Sequence, residues 1–203
     1  FHYEDSRTKG LERLKPSVVK NSIIVGMVGH FRSWKGQHYF VESLKHAKKI
    51  NDNIHYVIVG GFHDHDYYQK IKKYIKLNNL SSQITITGHQ ENIQELMACM
   101  DILVVPSVPE PFGLVVLEAM MMSKPVIAFN FGGPSEIIKH NETGILVSEV
   151  SSNALGDQIG NLSNKLSMRE QMGLKGNQLL ISNFTWSVQS KKIETIIDGI
   201  FNS

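Results

Sequence analysis

Cysteine is almost missing from this chain of 203 residues, where Cys99 stands alone. One thiol excludes an internal disulfide framework and a multi-cysteine zinc site, and it suits a reducing compartment. Cys99 itself reads as a small buried residue. Long apolar runs are missing too. No uninterrupted stretch reaches the roughly 18 residues that a membrane span needs, and no signal-peptide pattern opens the chain. An excess of one charge is missing overall, since 21 Lys+Arg face 19 Asp+Glu for a net +2. The distribution is uneven. Residues 1–80 hold 14 basic and 7 acidic residues, net +7, and residues 81–203 hold 7 and 12, net −5. The early lysines (Lys45, Lys48, Lys49, Lys70, Lys72, Lys73, Lys76) have no interleaved aromatics, so they read as solvated helix surface, not as a nucleic-acid face. There is no internal repeat, and neither a P-loop nor a GxGxxG pattern, so nothing favours an ATPase or an NAD enzyme.

What remains is ordinary globular material, 41% hydrophobic and 20% charged, enough for a real core. The first residue is Phe1, and the chain is expected to be a piece of a longer protein. Residues 1–20 are polar, show no sustained periodicity and end near Pro16. They read as a linker or the tail of a missing N-terminal domain. Residues 21–185 read as one domain and 186–203 as a C-terminal helix. Six short apolar runs mark strands: Ser22–Val28, Ile54–Val59, Gln83–Thr87, Asp101–Val105, Pro125–Phe129 and Gly144–Val147. Such continuous runs suit strands buried on both faces. Helical spacing separates them, as in Phe40, Val41, Leu44 and Ala47, or Tyr67, Ile71, Tyr74 and Ile75 behind an Asp64 cap. After Val150 the strand signals stop, and three helices follow. The expected fold is α/β, a Rossmann-like open parallel sheet of about six strands with helices on both faces and a helical C-terminal end. Ligands on such sheets bind outside the carboxyl ends of the strands. The loops to inspect are therefore 29–36, 60–64, 88–92, 106–113 and 130–136.

The stretch 101–122, DILVVPSVPEPFGLVVLEAMMM, carries the most information. It reads as a strand, a Pro-rich turn and a helix start, which presents backbone N–H groups and a positive dipole end above the sheet. Glu110 lies in the turn and Glu118 lies among Leu117, Ala119 and Met120. A carboxylate in such company needs a partner, and the expected partner is a ligand. Arg32 and Lys35 stand in the glycine-bounded loop GHFRSWKG, where two cations suit a diphosphate or form plain surface charge. The backbone at Phe112, Gly113 and Leu114 makes a second anion site, and Gly133 in NFGGPSE could add N–H groups. His63-Asp64-His65-Asp66 is a poor metal set, since adjacent residues do not converge on one ion. It reads as a polar loop and helix cap. His30, His38 and His55 read as structural or exposed, and Trp34 and Phe62 as loop packing.

In this order, GHFRSWKG, VIVGG, ITGH, DILVVPS, EPFGLVVLEAM, KPVIA, GGPSE, TGILV and FTW resemble the C-terminal, donor-binding domain of retaining GT-B glycosyltransferases (family four, group 1). The likeness covers the chain from about Ile23 onward, and the pair Glu110 and Glu118, seven residues between them, is its most specific part. The resemblance implies one half of a GT-B fold that binds a nucleotide diphosphate sugar, with no cofactor and no metal. Glu110 would contact donor-sugar hydroxyls and Glu118 the ribose. Phe112, Gly113, Leu114 and Val115 would hold the sugar and distal phosphate. Arg32 and Lys35 would neutralise the leaving diphosphate. Gly29, Gly61, Gly88, Gln90 and Ile93 would complete the donor pocket. Many relatives carry Arg directly after the first loop glycine, where this chain has His30. The implied partners are the donor, the missing N-terminal acceptor domain and a glycan or lipid-linked acceptor, as in surface polysaccharide synthesis. Nucleic acid is not among them. The implied place is the cytoplasm, with peripheral contact at the inner membrane face through the missing half as an open alternative. The chain would be inactive alone. Rival readings are a non-catalytic nucleotide-sugar-binding module and a nucleotide-sugar epimerase on the same scaffold. A phospho-accepting receiver would need acids at the early strand ends, which here are Gly29 and Gly60-Gly61.

Overall fold

The computed structural model describes residues 3–14 and 22–201. Six strands form one sheet: β1 (Ile23–Val28), β2 (Ile54–Val59), β3 (Ile84–Gly88), β4 (Ile102–Val105), β5 (Val126–Phe129) and β6 (Gly144–Val147). Their order is β3-β2-β1-β4-β5-β6, and every pairing is parallel. The six expected strands are thus present, with ends moved by a residue or so. β2, β4 and β5 are buried at every position, as strands covered on both faces must be.

Two apolar layers close the faces. On one, α2 (Gln37–Ile50), α3 (His65–Leu77) and α7 (Ser152–Ser163) bring Phe40, Leu44, Ile71, Ile75, Leu155 and Ile159 onto Val25, Tyr56, Ile58 and Val104. Phe40 and Tyr56 stack with ring centroids 4.3 Å apart. On the other, α4 (Ile93–Cys99), α5 (Leu114–Met121) and α6 (Gly133–Ile137) bring Leu96, Met97, Val116, Ala119, Met120 and Ile137 onto Ile24, Val57, Leu103 and Val126. The long helix α8 (Leu166–Asn183) supplies Met172 to the first layer and Leu180 to the second. The last helix, α9 (Trp186–Phe201), exposes Trp186, Ile193, Ile196, Ile197 and Ile200.

The segment 1–20, read as a linker or the tail of a missing N-terminal domain, contains a helix that the sequence pattern did not indicate. Tyr3–Arg13 form a helix, α1, docked on α4. Residues 1–2 and 15–20 of that segment, and 202–203 of the last helix, lie outside the described residues. The helix escaped the pattern reading because its contacts are not an apolar stripe. A Cβ on Gly10 would overlap the Glu95 carbonyl oxygen, so glycine alone permits this approach. Arg7 donates to the Ala98 and Cys99 carbonyls at the end of α4, at 3.4 and 3.3 Å. A cation on a helix C-terminus is favourable there. Arg13 pairs with Glu95 at 2.8 Å, and Leu14 is buried among Ile24 and Leu96.

Cys99 is buried, its Sγ donating to the Leu96 carbonyl at 3.0 Å, and burial pushes its thiol up to about 11. His38 and His55 are tied to Tyr67 and Thr85, each at 2.8 Å. These histidines are structural, as expected.

Candidate donor site

The strand order reverses between β1 and β4, because β2 lies on the far side of β1. At such a switch point the two following loops run in opposite directions and leave a crevice at the carboxyl ends. Lys35 follows β1 and Glu110 follows β4. Their side chains meet, with Lys35 Nζ donating to Glu110 Oε2 at 2.7 Å. The Glu110 side chain is 10% exposed and that of Lys35 is 28% exposed.

The backbone fixes this meeting. Gly36 has φ +76, and a Cβ there would overlap the Pro106 carbonyl oxygen. The Val108 N–H donates to the Trp34 carbonyl at 2.8 Å. The Val108-Pro109 peptide is cis. Gly133 donates its N–H to the Glu110 carbonyl at 2.8 Å. Gly132, at φ +66, lies where a Cβ would run into the same carbonyl oxygen. Loops 29–36, 106–113 and 130–136 are therefore one packed unit. Gln37, fully buried beneath it, donates to the Gly29 and His30 carbonyls at 3.3 and 3.0 Å. Sequence reading missed Gln37, since a lone glutamine at a helix start carries no pattern.

Several expectations are corrected. The partner of Glu110 is Lys35, so its burial needs no ligand. Glu118 is exposed and forms no side-chain hydrogen bond or ion pair among the described residues, so its apolar neighbours in sequence do not surround it in space. The Gly133 N–H is spent on Glu110 and is not open to an anion. Lys35 is engaged by Glu110, whereas the exposed Arg32 guanidinium lies over the Trp34 ring, 5.0 Å from its centroid, a cation–π contact.

Other site residues lie at the same edge. Gly113, at φ +86, is the N-cap of α5, and no side chain caps that end. Phe112 and Leu114 are exposed around it and Val115 is half-buried. The aliphatic chain of Lys35 passes under Gly29, where a Cβ would be 3.5 Å from Lys35 Cδ. Gly29 donates its N–H to the Val59 carbonyl at 2.9 Å, and the Gly61 carbonyl accepts from Phe31 at 2.9 Å. Gly88 has φ +73 and sits under Phe62, which stacks on Tyr68 at 4.0 Å. Gln90 turns inward to the Thr87 carbonyl at 3.0 Å, and Ile93 packs on the second apolar layer. These two shape the 88–93 loop more than they line an open surface.

His30 and His63 stand beside this unit with ring centroids 4.0 Å apart. Partial burial first, then His63, His89, Arg32 and Lys35, hold the His30 imidazole below its ordinary range. Asp64 caps α3 as expected, accepting from the Tyr67 N–H at 2.9 Å. Among the described residues no three side chains of His, Cys, Asp or Glu come together as a metal set. A cavity of about 610 Å³, lined by Tyr68, Lys72, Lys76, Ile84 and Ile86, lies at the β3 edge, away from Lys35 and Glu110. Site chemistry and cavity size disagree here. The paired charges and the uncapped helix end gather at the switch point, not at this cavity.

Residues 10–179 match the family model of glycosyl transferases group 1. The chain belongs to that family. It is 32% identical over 161 residues to an uncharacterised glycosyltransferase of Methanocaldococcus jannaschii, covering 78% of this chain and 43% of that one. To the alpha-D-kanosaminyltransferase of Streptomyces kanamyceticus it is 27% identical, covering 85% and 45%. This group 1 chain thus spans less than half the length of these relatives. Its fold matches the Rossmann-like half of GT-B glycosyltransferases. It superposes on Anabaena HepE in complex with UDP and glucose with a TM-score of 0.85 at 26% identity, over 95% of this chain and 52% of that one. It also superposes on the C-terminal domain of a group 1 glycosyl transferase of Francisella tularensis, with a TM-score of 0.77 at 26% identity, over 86% and 92%. No helix among the described residues is long and apolar enough to cross a membrane.

Proposed function

We propose that this chain is the donor-binding half of a retaining, metal-independent glycosyltransferase. It takes a nucleotide diphosphate sugar, UDP- or GDP-linked, and the sugar goes to a glycan or lipid-linked acceptor held by an N-terminal domain. The observation that carries this reading is the meeting of Lys35 and Glu110 at the switch point, beside an α5 N-terminus that no side chain caps. A cation and a helix N-terminus together suit a diphosphate. The adjacent carboxylate suits sugar hydroxyls. Glu118, exposed on α5 and without a partner, is free to accept from the two hydroxyls of a ribose. Arg32 has only Trp34 beneath it and can swing to the leaving phosphate. Gly29, Gly61 and Gly88 keep side chains out of the donor's way. HepE, which this fold resembles, was captured with UDP and glucose, and that favours the same ligand class here.

The exposed apolar stripe of α9 supports the two-domain reading. Trp186, Ile193, Ile197 and Ile200 recur at helical spacing toward water, a pattern that ordinarily packs on something. The acceptor domain is the proposed partner. The chain alone is then a binder and transfers nothing, and the cytoplasm is the compartment where nucleotide sugars would meet it.

The test is thermal stability against UDP, GDP, ADP and dTDP and their sugars, with and without magnesium. A ligand at about 100 times its Kd adds roughly 2.7 kcal/mol to the folded state. One base should give a clear shift that magnesium leaves unchanged. Glu118→Gln should lower that shift while leaving the ligand-free melting point in place, because Glu118 is exposed and unbonded. A folded chain that ignores every nucleotide, or an E118Q variant that binds as the parent does, would overturn the assignment in whole or in its ribose part.

A further inference from the structure

The loops after β1, β2 and β3 follow three adjacent strands, and each carries one histidine: His30, His63 and His89. Two of the rings lie 4.0 Å apart, tilted by 35°. All three residues are exposed. The charged or titratable groups that act on His30 are His63, His89, Arg32 and Lys35, and no carboxylate is among them. The acid of the neighbouring loop, Glu110, is already engaged by Lys35. Asp64, next to His63 in sequence, is turned to its capping bond with Tyr67. Glu91, two residues on from His89, and His65 and Asp66 at the start of α3 are also exposed; the basic side chains His30, His63, His89, Arg32 and Lys35 share this edge of the sheet.

Partial burial, and then His63, His89, Arg32 and Lys35, favour the neutral His30 imidazole while the site is empty. An anion among them reverses the balance and favours the protonated form. Resting on the donor reading above, we infer that His30, His63 and His89 take up protons when the diphosphate of a nucleotide sugar occupies the site. Donor affinity then depends on pH through these three residues. The sign follows from linkage. The occupied site holds more protons than the empty one, so binding strengthens as pH falls from about 8 toward about 6, by about tenfold per pH unit for each whole proton taken up. It levels off once the empty site is itself protonated.

The experiment is calorimetric titration of the chain with UDP-glucose and with GDP-mannose, at about pH 6 and about pH 8. The titration is repeated near neutrality in two buffers of different ionisation enthalpy. The diester diphosphates of these sugars do not titrate in this range, so any proton exchanged belongs to the protein. The expected result is tighter binding at the lower pH, with a buffer-dependent heat that reports net proton uptake. In the triple variant His30→Gln, His63→Gln, His89→Gln the uptake should vanish and the affinity should become nearly independent of pH. The exposed positions tolerate this change, and the unchanged melting point of the ligand-free variant verifies it. Binding without proton exchange, or uptake that survives in the triple variant, overturns the inference and leaves the donor reading standing. A folded chain that binds neither sugar nucleotide at either pH overturns both.

Discussion

Replacing either member of the Lys35–Glu110 pair should have unequal effects on stability and opposite effects on nucleotide binding. The contact is 2.7 Å, and the acid is the more buried side, 10% exposed against 28% for the base. Lys35→Met therefore strands a carboxylate that has little access to water. A hydrogen bond to a charged group contributes about 1.5–3 kcal/mol, and breaking a fully buried pair costs about 3–5 kcal/mol. Partial exposure of Lys35 points to the lower figures, so K35M should lose about 2–3 kcal/mol. At about 2–4 °C per kcal/mol for a domain of this size, its melting point should fall by roughly 4–12 °C. Glu110→Gln leaves an ammonium on a flexible stem that can turn to solvent, and should cost about 1 kcal/mol or less. Binding reverses the ranking. With a nucleoside diphosphate that carries no sugar, Glu110 only competes for the Lys35 ammonium. Its removal should tighten binding by up to about tenfold, whereas K35M should weaken it by about ten- to a hundredfold, the equivalent of one charge-assisted bond. Urea denaturation measures the first pair of effects, and titration with the nucleotide chosen by the melting panel measures the second. Equal destabilisation by both variants, or weaker diphosphate binding in E110Q, would refute the reasoning.

Two further predictions concern the frame that holds the pair. Gly36→Ala forces a Cβ onto the Pro106 carbonyl at a backbone with φ +76, and left-handed geometry alone costs an alanine about 1 kcal/mol or more. The variant should lose at least about 2 kcal/mol together with most nucleotide affinity, since the joint it breaks carries Lys35; a melting point within a degree or so of wild type would contradict this. Lys124 is buried, donates to the Ala98 carbonyl at 2.7 Å, and is pulled down to about 8, first by burial and then by Arg7. Between about 8 and its unfolded value the unfolded chain binds more protons, so this residue makes stability rise with pH across that window. Wild type should therefore gain about 1–2 kcal/mol on Lys124→Met between about pH 7.5 and about pH 9.5, and parallel stability curves would count against it.

Much of the sheet was legible because parallel strands covered on both faces leave continuous apolar runs, and β2 and β6 were read to the residue. The layout of 101–122 as strand, turn and helix was legible for a different reason: Pro106, Pro109 and Pro111 forbid a ladder, and Gly113 opens the helix. The Lys35–Glu110 contact was not legible, since 75 residues separate the two and spacing says nothing about how far apart two loops lie. The same limit misled the reading of Glu118. Neighbours along the chain were apolar, yet the helix turns that carboxylate to water. Helix α1 was missed because its apolar contact is confined to Leu11 and Leu14 at one end, while Gly10 and two arginines on carbonyl and carboxylate groups make the rest, which a search for hydrophobic periodicity ignores.

The preformed pair also bears on how the proposed transfer would be driven. An enzyme gains rate only from contacts that strengthen between the bound donor and the transition state. A lysine held permanently on the diphosphate would stabilise both alike. In this fold Lys35 rests on Glu110, and under the proposed function the diphosphate would have to draw it away. In the intact donor each phosphate carries one formal charge, so the pull on the lysine is modest. As the bond to the sugar breaks, the leaving diphosphate gains a charge, and the balance moves from the carboxylate toward the phosphate. Glu110, released at the same moment, would then face a sugar that is becoming positive. One exchange of partners would then place a cation on the leaving group and a carboxylate beside the oxocarbenium-like centre, where electrostatic stabilisation counts most. Such an exchange would need the two residues on opposite sides of the switch point, where they stand, on loops locked together by Gly36, Gly132 and Gly133. A looser joint would let the ion pair drift as a unit, and the exchange would lose its geometry.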